Sequence, residues 1–299
     1  MKRPRRAVIL ITAAMAAIGP AATTAAAVAS VSRGRSTAQA VTAHIGVTAT
    51  IRVGRFPVGV AVNPRTDTIY VANANSGTVS VISGRTNTVV GTIPVGRVPG
   101  GVAVNPRTNT IYVTRAGKIV AHGRVSVISG RTNAVTATVR VGSAANGVAT
   151  NPTTKRIYVT NAASKTVSVI SGRTNMVVAT VRVGYPAAFG VAANPRTNTI
   201  YLANGGDETV VISGRTNTVA ARVRTGSCSV GVATDPRTNT SFVTNACSNT
   251  VSVLVSCRAR ADSRSMARCR RDDPQAGARP GSIAWPHSLS QPGLWSKAR

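Results

Sequence analysis

Short stretches in which apolar and polar residues alternate follow one another along most of the chain, separated by turn-forming residues. The first four stretches are Val58 to Val62, Thr68 to Ala72, Thr78 to Ile82 and Thr88 to Val95. They are rich in Val, Ile and Thr, and Asn, Pro, Ser or Gly follows them. This length and composition are typical of β-strands, whereas an amphipathic helix needs a longer run with a 3.6-residue period. The pattern therefore predicts four successive strands joined by tight turns.

The same four-strand unit recurs along the chain. Its opening motif, Gly-Val-Ala-Val-Asn-Pro at Gly59, has counterparts that start at Gly101, Gly147, Gly190 and Gly231. The copies span about residues 51–92, 93–138, 139–180, 181–222 and 223–256. A single small sheet cannot bury both faces, whereas stacked copies can. Repeats of about 40–45 residues with four strands each are typical of β-propellers. The sequence therefore predicts an all-β fold, a propeller of about five four-stranded blades over residues 45–256.

The two ends of the repeat region complement each other. The fifth copy changes character after Val255, before a fourth strand, whereas the first copy is preceded by an additional strand-like segment at Ile45 to Gly54. That segment is similar to Asn133 to Gly142, which includes a fourth strand. We expect it to complete the last blade and close the ring, because this pairing removes two open sheet edges.

Further motifs carry a resemblance to a known family. Tyr70–Asn73 reads Tyr-Val-Ala-Asn and Tyr158–Asn161 reads Tyr-Val-Thr-Asn, with Asn-Pro and Ser-Val-Ile motifs nearby. Over about residues 45–255 the chain resembles the YVTN family of β-propeller repeat proteins. The resemblance implies an exported or surface-layer-like protein. The chain departs from the family in two ways. Family rings usually carry more than five blades, and an Asp often follows Ser-Val-Ile where this chain has Ser83, Ser129, Ser171 and Ser213.

The N-terminal segment has the layout of a secretory signal peptide. Four basic residues, at positions 2, 3, 5 and 6, precede an apolar stretch from Ala7 to Ile18, and the small-residue motif Ala27-Val28-Ala29 follows. This predicts a signal peptide at residues 1–29 and a linker at 30–44. A retained signal anchor is the alternative. Beyond this segment, no stretch has the length of a membrane span.

The C-terminal segment, residues 257–299, has no repeat and is rich in Arg, Pro and Ser. We expect a basic, disordered tail. Two alternatives stay open. The tail is a wall- or nucleic-acid-binding segment, or it results from a reading-frame shift that truncated a longer repeat array.

Charge gives the main indication of a partner. The chain has 36 Lys plus Arg against 7 Asp plus Glu, a net charge of +29. In an up-and-down sheet, the turns after strands one and three lie at the same edge, so their arginines form a basic rim. A basic rim binds polyanions by summed, salt-sensitive attraction. The rim arginines are Arg65, Arg85, Arg107, Arg131, Arg173, Arg196, Arg215 and Arg237. Solvated turn arginines without a partner are the alternative.

Among anionic partners, a cell-wall polymer or a surface protein is favoured over nucleic acid, because the rim lacks aromatic residues on which bases stack. The opposite edge carries the loops before strand one and between strands two and three, a common position for propeller ligands. Residues of interest there are Phe56, Tyr185, Phe189 and an insertion from Arg115 to Arg124 that includes Lys118 and His122.

The chain has four cysteines, which suits an exported protein. Cys228 precedes the first strand of the fifth copy and Cys247 follows its second strand, which predicts a disulfide at one edge of that blade. Cys257 and Cys269 either pair in the tail or stay free. No carboxylate or His cluster accompanies the cysteines, so we expect no metal site and no cofactor.

Catalytic chemistry has little support in the sequence. Its three histidines, His44, His122 and His287, lie in unrelated regions, and the repeats contain few acids. No nucleophile set or pair of carboxylates can be assembled. The sequence therefore favours a non-enzymatic, exported binding or interaction scaffold. The alternatives are a lactonase-like hydrolase or lyase with its site at the channel mouth, and a truncated product of a longer array.

Overall fold

The computed structural model describes residues 47–116, 122–184 and 189–255. These residues form 19 β-strands and no helix. Accordingly, these residues contain no helix that is long and apolar enough to cross a membrane. The predicted signal peptide, the linker and the C-terminal tail lie outside the described residues. The predicted all-β class is confirmed.

The strands form five antiparallel sheets, each built from consecutive strands paired in chain order. Sheet 1 contains β1 (Pro57–Asn63), β2 (Thr68–Asn73), β3 (Thr78–Ser83) and β4 (Thr88–Pro94). Sheet 2 contains β5 (Pro99–Asn105), β6 (Thr110–Arg115), β7 (His122–Ser129) and β8 (Ala134–Ser143). Sheet 3 contains β9 (Ala145–Asn151), β10 (Arg156–Asn161), β11 (Thr166–Ser171) and β12 (Met176–Arg182). Sheet 4 contains β13 (Gly190–Asn194), β14 (Thr199–Ala203), β15 (Glu208–Ser213) and β16 (Thr218–Arg224). Sheet 5 contains β17 (Ser229–Asp235), β18 (Thr240–Asn245) and β19 (Thr250–Val255).

Residues that tolerate the left-handed conformation close the tight turns. Asn is the usual residue with φ between 50° and 57° at the end of the turn before the second or fourth strand. Asn populates this region more readily than other non-glycine residues, because its short side chain bonds locally. The positions are Asp67, Asn109, Lys155, Asn198 and Asn239 before the second strands, and Asn87, Asn133, Asn175 and Asn217 before the fourth strands.

The hydrophobic core lies between neighbouring sheets. In sheet 1, Tyr70, Val79 and Val81 pack in one buried cluster with Ile111 and Val113 of sheet 2. Side chains alternate between the two faces along a strand. Tyr70, Val79 and Val81 therefore share one face of sheet 1. Ile111 and Val113 lie on the opposite face of sheet 2, which packs against it. In each sheet, we call the face directed toward the next sheet in the sequence the leading face. The face directed toward the preceding sheet is the trailing face. Corresponding clusters join sheets 2 and 3, 3 and 4, and 4 and 5.

The first strands of the sheets approach one another closely, and glycine permits this. A Cβ atom placed on Gly101 of β5 would lie 2.6 Å from the carbonyl oxygen of Asn146 in β9. A Cβ on Gly190 of β13 would likewise lie 2.6 Å from the carbonyl oxygen of Val230 in β17. These contacts make the repeated glycine a packing requirement at each internal junction between sheets.

The two end sheets keep one apolar face uncovered. On the leading face of sheet 5, Val251 is 57% exposed and Val253 is 59% exposed, whereas Val167 and Val169 at the same positions of sheet 3 are 0% exposed. On the trailing face of sheet 1, Val62 is 43% exposed. Both faces have the composition of the buried faces between the internal sheets, without a covering sheet among the described residues.

The predicted closure strand is not seen in the structure. Within the part of the chain that the structure describes, sheet 5 has three strands, and residues 47–53 are not in a strand. Residues 45 and 46 lie outside the described residues. The pairing of residues 45–53 with the last sheet therefore stays a prediction, as does the number of blades.

The predicted disulfide between Cys228 and Cys247 is confirmed, with their Cα atoms 5.3 Å apart. It joins the loop before β17 to the turn after β18, so it holds together one edge of the three-stranded sheet. A bridge over this short span contributes about 2–4 kcal/mol in typical proteins, mainly by restricting the unfolded chain. Cys257 and Cys269 lie outside the described residues.

Candidate polyanion-binding rim

The turns that carry the predicted arginines meet at one edge of each sheet. In sheet 1 the amide of Gly84, in the β3–β4 turn, donates a hydrogen bond to the carbonyl oxygen of Asp67, in the β1–β2 turn, at 2.7 Å. Equivalent bonds join Gly130 to Asn109, Gly172 to Lys155 and Gly214 to Asn198, each at 2.8 Å. Both turns of these sheets therefore form one rigid unit.

Asparagine pairs connect this edge from one sheet to the next. The Asn63 side-chain amide donates to Asn109 Oδ1 at 2.8 Å, and the Asn151 amide donates to Asn198 Oδ1 at 2.9 Å. A longer bond of 3.3 Å joins Asn194 to Asn239. The donors are buried and also accept a bond from the amide two residues later, as Asn63 does from Arg65. The pairs fix the spacing between neighbouring arginine turns.

One internal junction has a different residue pair. At the junction of sheets 2 and 3, Asn105 occupies the donor position and Lys155 occupies the acceptor position, with φ at 55°. The substitution Lys155→Asn is expected to stabilise the fold by about 1 kcal/mol, because it adds a side-chain hydrogen bond and suits the left-handed backbone. Thermal unfolding should show a midpoint about 2–4 °C higher.

Lys165→Asn is the matched control for this substitution. Lys165 also has a left-handed φ, 56°, but lies in the β10–β11 turn at the opposite edge. The substitution Lys165→Asn therefore measures the effects of the left-handed turn conformation and of the lost charge, but adds no hydrogen bond between sheets. Equal stabilisation by both substitutions would contradict the role given to the asparagine pairs.

All eight predicted arginines lie at this edge, and all are exposed. Among the described residues, only Arg237 of the eight has an acidic partner, with its Nη2 3.9 Å from Asp235 Oδ2. Arg196 instead donates through Nη1 to the carbonyl oxygen of Arg237 at 3.2 Å. A backbone hydrogen bond from Arg237 is the main cause that lowers the pKa of Asp235. We call this edge, with its eight arginines, the arginine rim.

A shallow cleft opens on the arginine rim between sheets 2 and 3. Its volume is about 210 Å³, and Asn109, Ser129, Arg131 and Asn175 are among its lining residues. It offers hydroxyl and amide groups beside a guanidinium, which suits an anionic oxygen ligand better than an apolar one. Sequence reasoning missed this cleft, because it forms only where turns from two sheets meet.

Buried tyrosines lie under the rim. The hydroxyl of Tyr70 lies beside Gly130 of the next sheet, and that of Tyr112 lies beside Gly172. Tyr158 is fully buried, and burial raises its pKa to about 12. All three tyrosines stay neutral at physiological pH, and Tyr70 and Tyr112 pack beneath the β7–β8 and β11–β12 turns. The arginine turns therefore rest on a closely packed support.

The opposite edge has fewer features of a binding site. Phe56 and Phe189 are exposed there at 48% and 45%, and His122 is exposed at the start of β7. Arg115 reaches back to the carbonyl oxygen of Val95, donating through Nη1 at 2.6 Å. Burial, and to a lesser extent the charge of Arg124, lowers the Arg115 pKa. Tyr185 and Lys118 lie outside the described residues.

The described residues contain no cluster of three or more His, Cys, Asp or Glu able to hold a metal ion. Glu208 pairs with Arg222, with Oε2 and Nη1 3.7 Å apart. Glu208 lies in sheet 4, whereas His122 lies in sheet 2. The predicted enzymatic alternative stays a prediction.

Solved structures with a similar arrangement of sheets share little sequence with this chain. The Cps50 (Swd1) β-propeller domain of Myceliophteria thermophila matches with a TM-score of 0.60 and 12% identity, over 73% of this chain and 70% of that one. A functionally unknown protein from Desulfotomaculum acetoxidans DSM 771 matches with a TM-score of 0.58 and 16% identity, over 68% and 70%. The chain folds as a β-propeller.

Hydrazine synthase from Kuenenia stuttgartiensis also matches, with a TM-score of 0.46 and 17% identity, over 67% of this chain and 83% of that one. No protein-family model and no curated protein matches the chain. The resemblance to the YVTN family and the surface-layer character therefore stay predictions. The comparisons support the propeller fold alone, so the function of this propeller has to be argued from its own surface.

Proposed function

We propose that this propeller is an exported, non-enzymatic binding scaffold whose arginine rim binds an anionic polymer of the cell wall or an acidic surface partner. The observation that supports this most is the collection of eight exposed arginines on one edge, with one acidic partner among the described residues. Charges of one sign on a rigid edge produce a summed field that attracts polyanions.

The rim has the properties expected of a site for an extended polymer. Its arginines repeat from sheet to sheet, and hydrogen bonds within and between sheets hold the turns in place. A ligand with regularly spaced anionic groups therefore meets several guanidinium groups at once. Guanidinium groups bind phosphate and carboxylate oxygens in bidentate geometry, which adds to the attraction by charge alone.

Export is part of the same proposal. Residues 1–29 have the pattern of a signal peptide. The disulfide between Cys228 and Cys247 is compatible with an oxidising compartment. N-terminal sequencing of chain recovered from the medium or the cell surface tests cleavage after Ala29.

Titration with long-chain inorganic polyphosphate tests the binding proposal. We expect the association constant to fall roughly three thousandfold to twenty thousandfold between about 50 and 200 mM NaCl if all eight arginines contribute, because each neutralised anion releases a counterion. Isothermal titration calorimetry across this salt range measures the fall. Neutral dextran is the control polymer and should not bind. An affinity that does not change with salt would contradict the electrostatic rim.

A further inference from the structure

The uncovered faces of the end sheets carry the same features as the faces buried at the internal junctions. On sheet 5, Phe242 is 43% exposed, although its counterparts Tyr70, Tyr112 and Tyr158 are buried. Val251 and Val253 on the same face are also exposed. On sheet 1, the exposed Val60 and Val62 correspond to Val102 and Val104 of sheet 2, which pack against sheet 1.

Backbone features of the junction are present at the end of sheet 5 as well. Gly231 occupies the position of Gly101 and Gly190, but no neighbouring strand among residues 47–255 that the structure describes fills its space. A Cβ on Gly231 would meet only the Thr244 hydroxyl, at 3.0 Å. At the internal junction the corresponding Thr114 hydroxyl donates to the carbonyl oxygen of Asn146 in the next sheet, at 2.6 Å. Sheet 5 therefore has the glycine and the hydroxyl that accommodate another first strand.

We propose that the leading face of sheet 5 in one copy packs against the trailing face of sheet 1 in a second copy, so that the chain associates head to tail. The contact repeats the four junctions that already join the sheets of one chain. Those junctions are rigid, since backbone carbonyl groups contact glycine across them. A second copy meets each end face without any change in this internal packing. Such a heterologous contact builds a closed ring or an open filament, depending on its rotation.

The segment before β1 strengthens this contact. Gly54 lies against Asn73 as Gly142 lies against Asn161, with a Cβ on either glycine 2.7 Å from the asparagine side chain. The chain therefore enters sheet 1 as it enters sheet 3 after the fourth strand β8. Residues 47–53, exposed or half-buried and not in a strand, directly precede this entry point, as the fourth strand β8 does for sheet 3. When two copies meet, this segment of one copy is placed to pair with the open edge of β19 in the other.

Two carboxylates limit the affinity of the head-to-tail contact. Asp235 occupies the position of the donors Asn63, Asn151 and Asn194, whereas Asp67 occupies the position of the acceptor asparagines in the following sheets. The contact brings these two acceptor side chains together without a donor, and like charges that face each other across an interface weaken it. The net charge of +29 adds a longer-range repulsion, which salt screens.

Sedimentation velocity of the full chain at about 0.5 M NaCl tests the proposal, since repulsion between copies is screened there. The wild type should form oligomers as its concentration rises to about 100 µM. Val253→Glu should abolish this association because it places a charge on the leading face of sheet 5. Val62→Glu should abolish it because it places a charge on the trailing face of sheet 1. Val90→Glu, at an equally exposed position of β4, is the control and should leave it unchanged.

Mixing the two blocked variants gives the decisive measurement. Val253→Glu retains a functional trailing face and Val62→Glu retains a functional leading face, so an equimolar mixture should form dimers and no larger species. A wild type that stays monomeric, or a mixture that does not associate, would overturn the proposal. Closure of the ring within one copy would appear as a monomer in which residues 47–53 and 250–255 are protected from hydrogen exchange, and it too would overturn it.

The acidic pair is tested separately. Asp235→Asn restores the residue found at the internal junctions and should tighten association roughly tenfold, because it removes the repulsion and adds a donor. Asp207→Asn, at an exposed position of the opposite edge, is the charge-matched control and should leave association unchanged. High salt strengthens this association, whereas it weakens polyphosphate binding, so failure of one proposal is distinguishable from failure of the other.

Discussion

Replacing Arg85, Arg131, Arg173 and Arg215 together with glutamine is expected to weaken polyphosphate binding about a hundredfold at low salt. The four residues lie in the turns between the third and fourth strands of sheets 1 to 4, and all are exposed. Glutamine keeps most of the side chain and removes the charge, so the change acts on binding rather than on folding. The dependence of the association constant on salt should become shallower by about 0.7–0.9 per lost contact on logarithmic axes.

A second quadruple variant separates the rim from the overall charge. Arg55, Arg97, Arg140 and Arg182 are also exposed, but they lie near the opposite edge or on outer strands. Glutamine at these four positions lowers the net charge by the same amount and should reduce affinity only slightly. Isothermal titration calorimetry compares both variants with the wild type. Similar losses in both would show that binding depends on net charge, and the arginine rim would not be a site.

Gly101→Val is expected to destabilise the propeller by about 3 kcal/mol or more. This is the upper end of the range for overpacking, because the contact is with backbone that cannot move aside. A Cβ at this position lies 2.6 Å from the Asn146 carbonyl oxygen and 3.3 Å from the Thr114 hydroxyl, within the junction of sheets 2 and 3. The clash is with backbone, so only separation of the two sheets relieves it. The unfolding midpoint should fall by about 6–12 °C.

Gly231→Val is the matched control, because it places the same side chain at the equivalent position of sheet 5. Its Cβ meets the Thr244 hydroxyl and no neighbouring sheet. We expect a change of less than about 1 kcal/mol in chemical denaturation at low concentration, where copies are separate. Equal destabilisation by both variants would show that the glycine is needed within its own strand. The junction would then have no special role.

Much of the fold was predictable because the signals are local. Strand lengths, the turn residues after them and the repeat of the Asn-Pro motif predicted the strands of sheet 1 to within one or two residues at each end. The disulfide of sheet 5 was predictable for the same reason, since strand order places Cys228 and Cys247 at one edge.

The arginine rim was predictable as a location, because every second turn of an up-and-down sheet lies at the same edge. The hydrogen bonds between sheets that hold the rim together were not predicted. The Asn63–Asn109 and Asn151–Asn198 bonds join residues 46 and 47 positions apart in different sheets. The sequence does show a repeated Asn at both positions. The preference of Asn for turns already explained this repeat, so it did not indicate a bond between sheets.

The sequence by itself determined the class of the strands, their order within each sheet, the edge that carries the arginines and the cysteine pair. These depend on period-two alternation, turn chemistry and parity, which act over a few residues. Only the tertiary structure decided which faces are covered and that residues 47–53 lie outside any strand. Coverage depends on the rotation from one sheet to the next. That rotation arises from contacts between distant segments, such as glycine against a neighbouring carbonyl group, and a repeat pattern does not encode its angle.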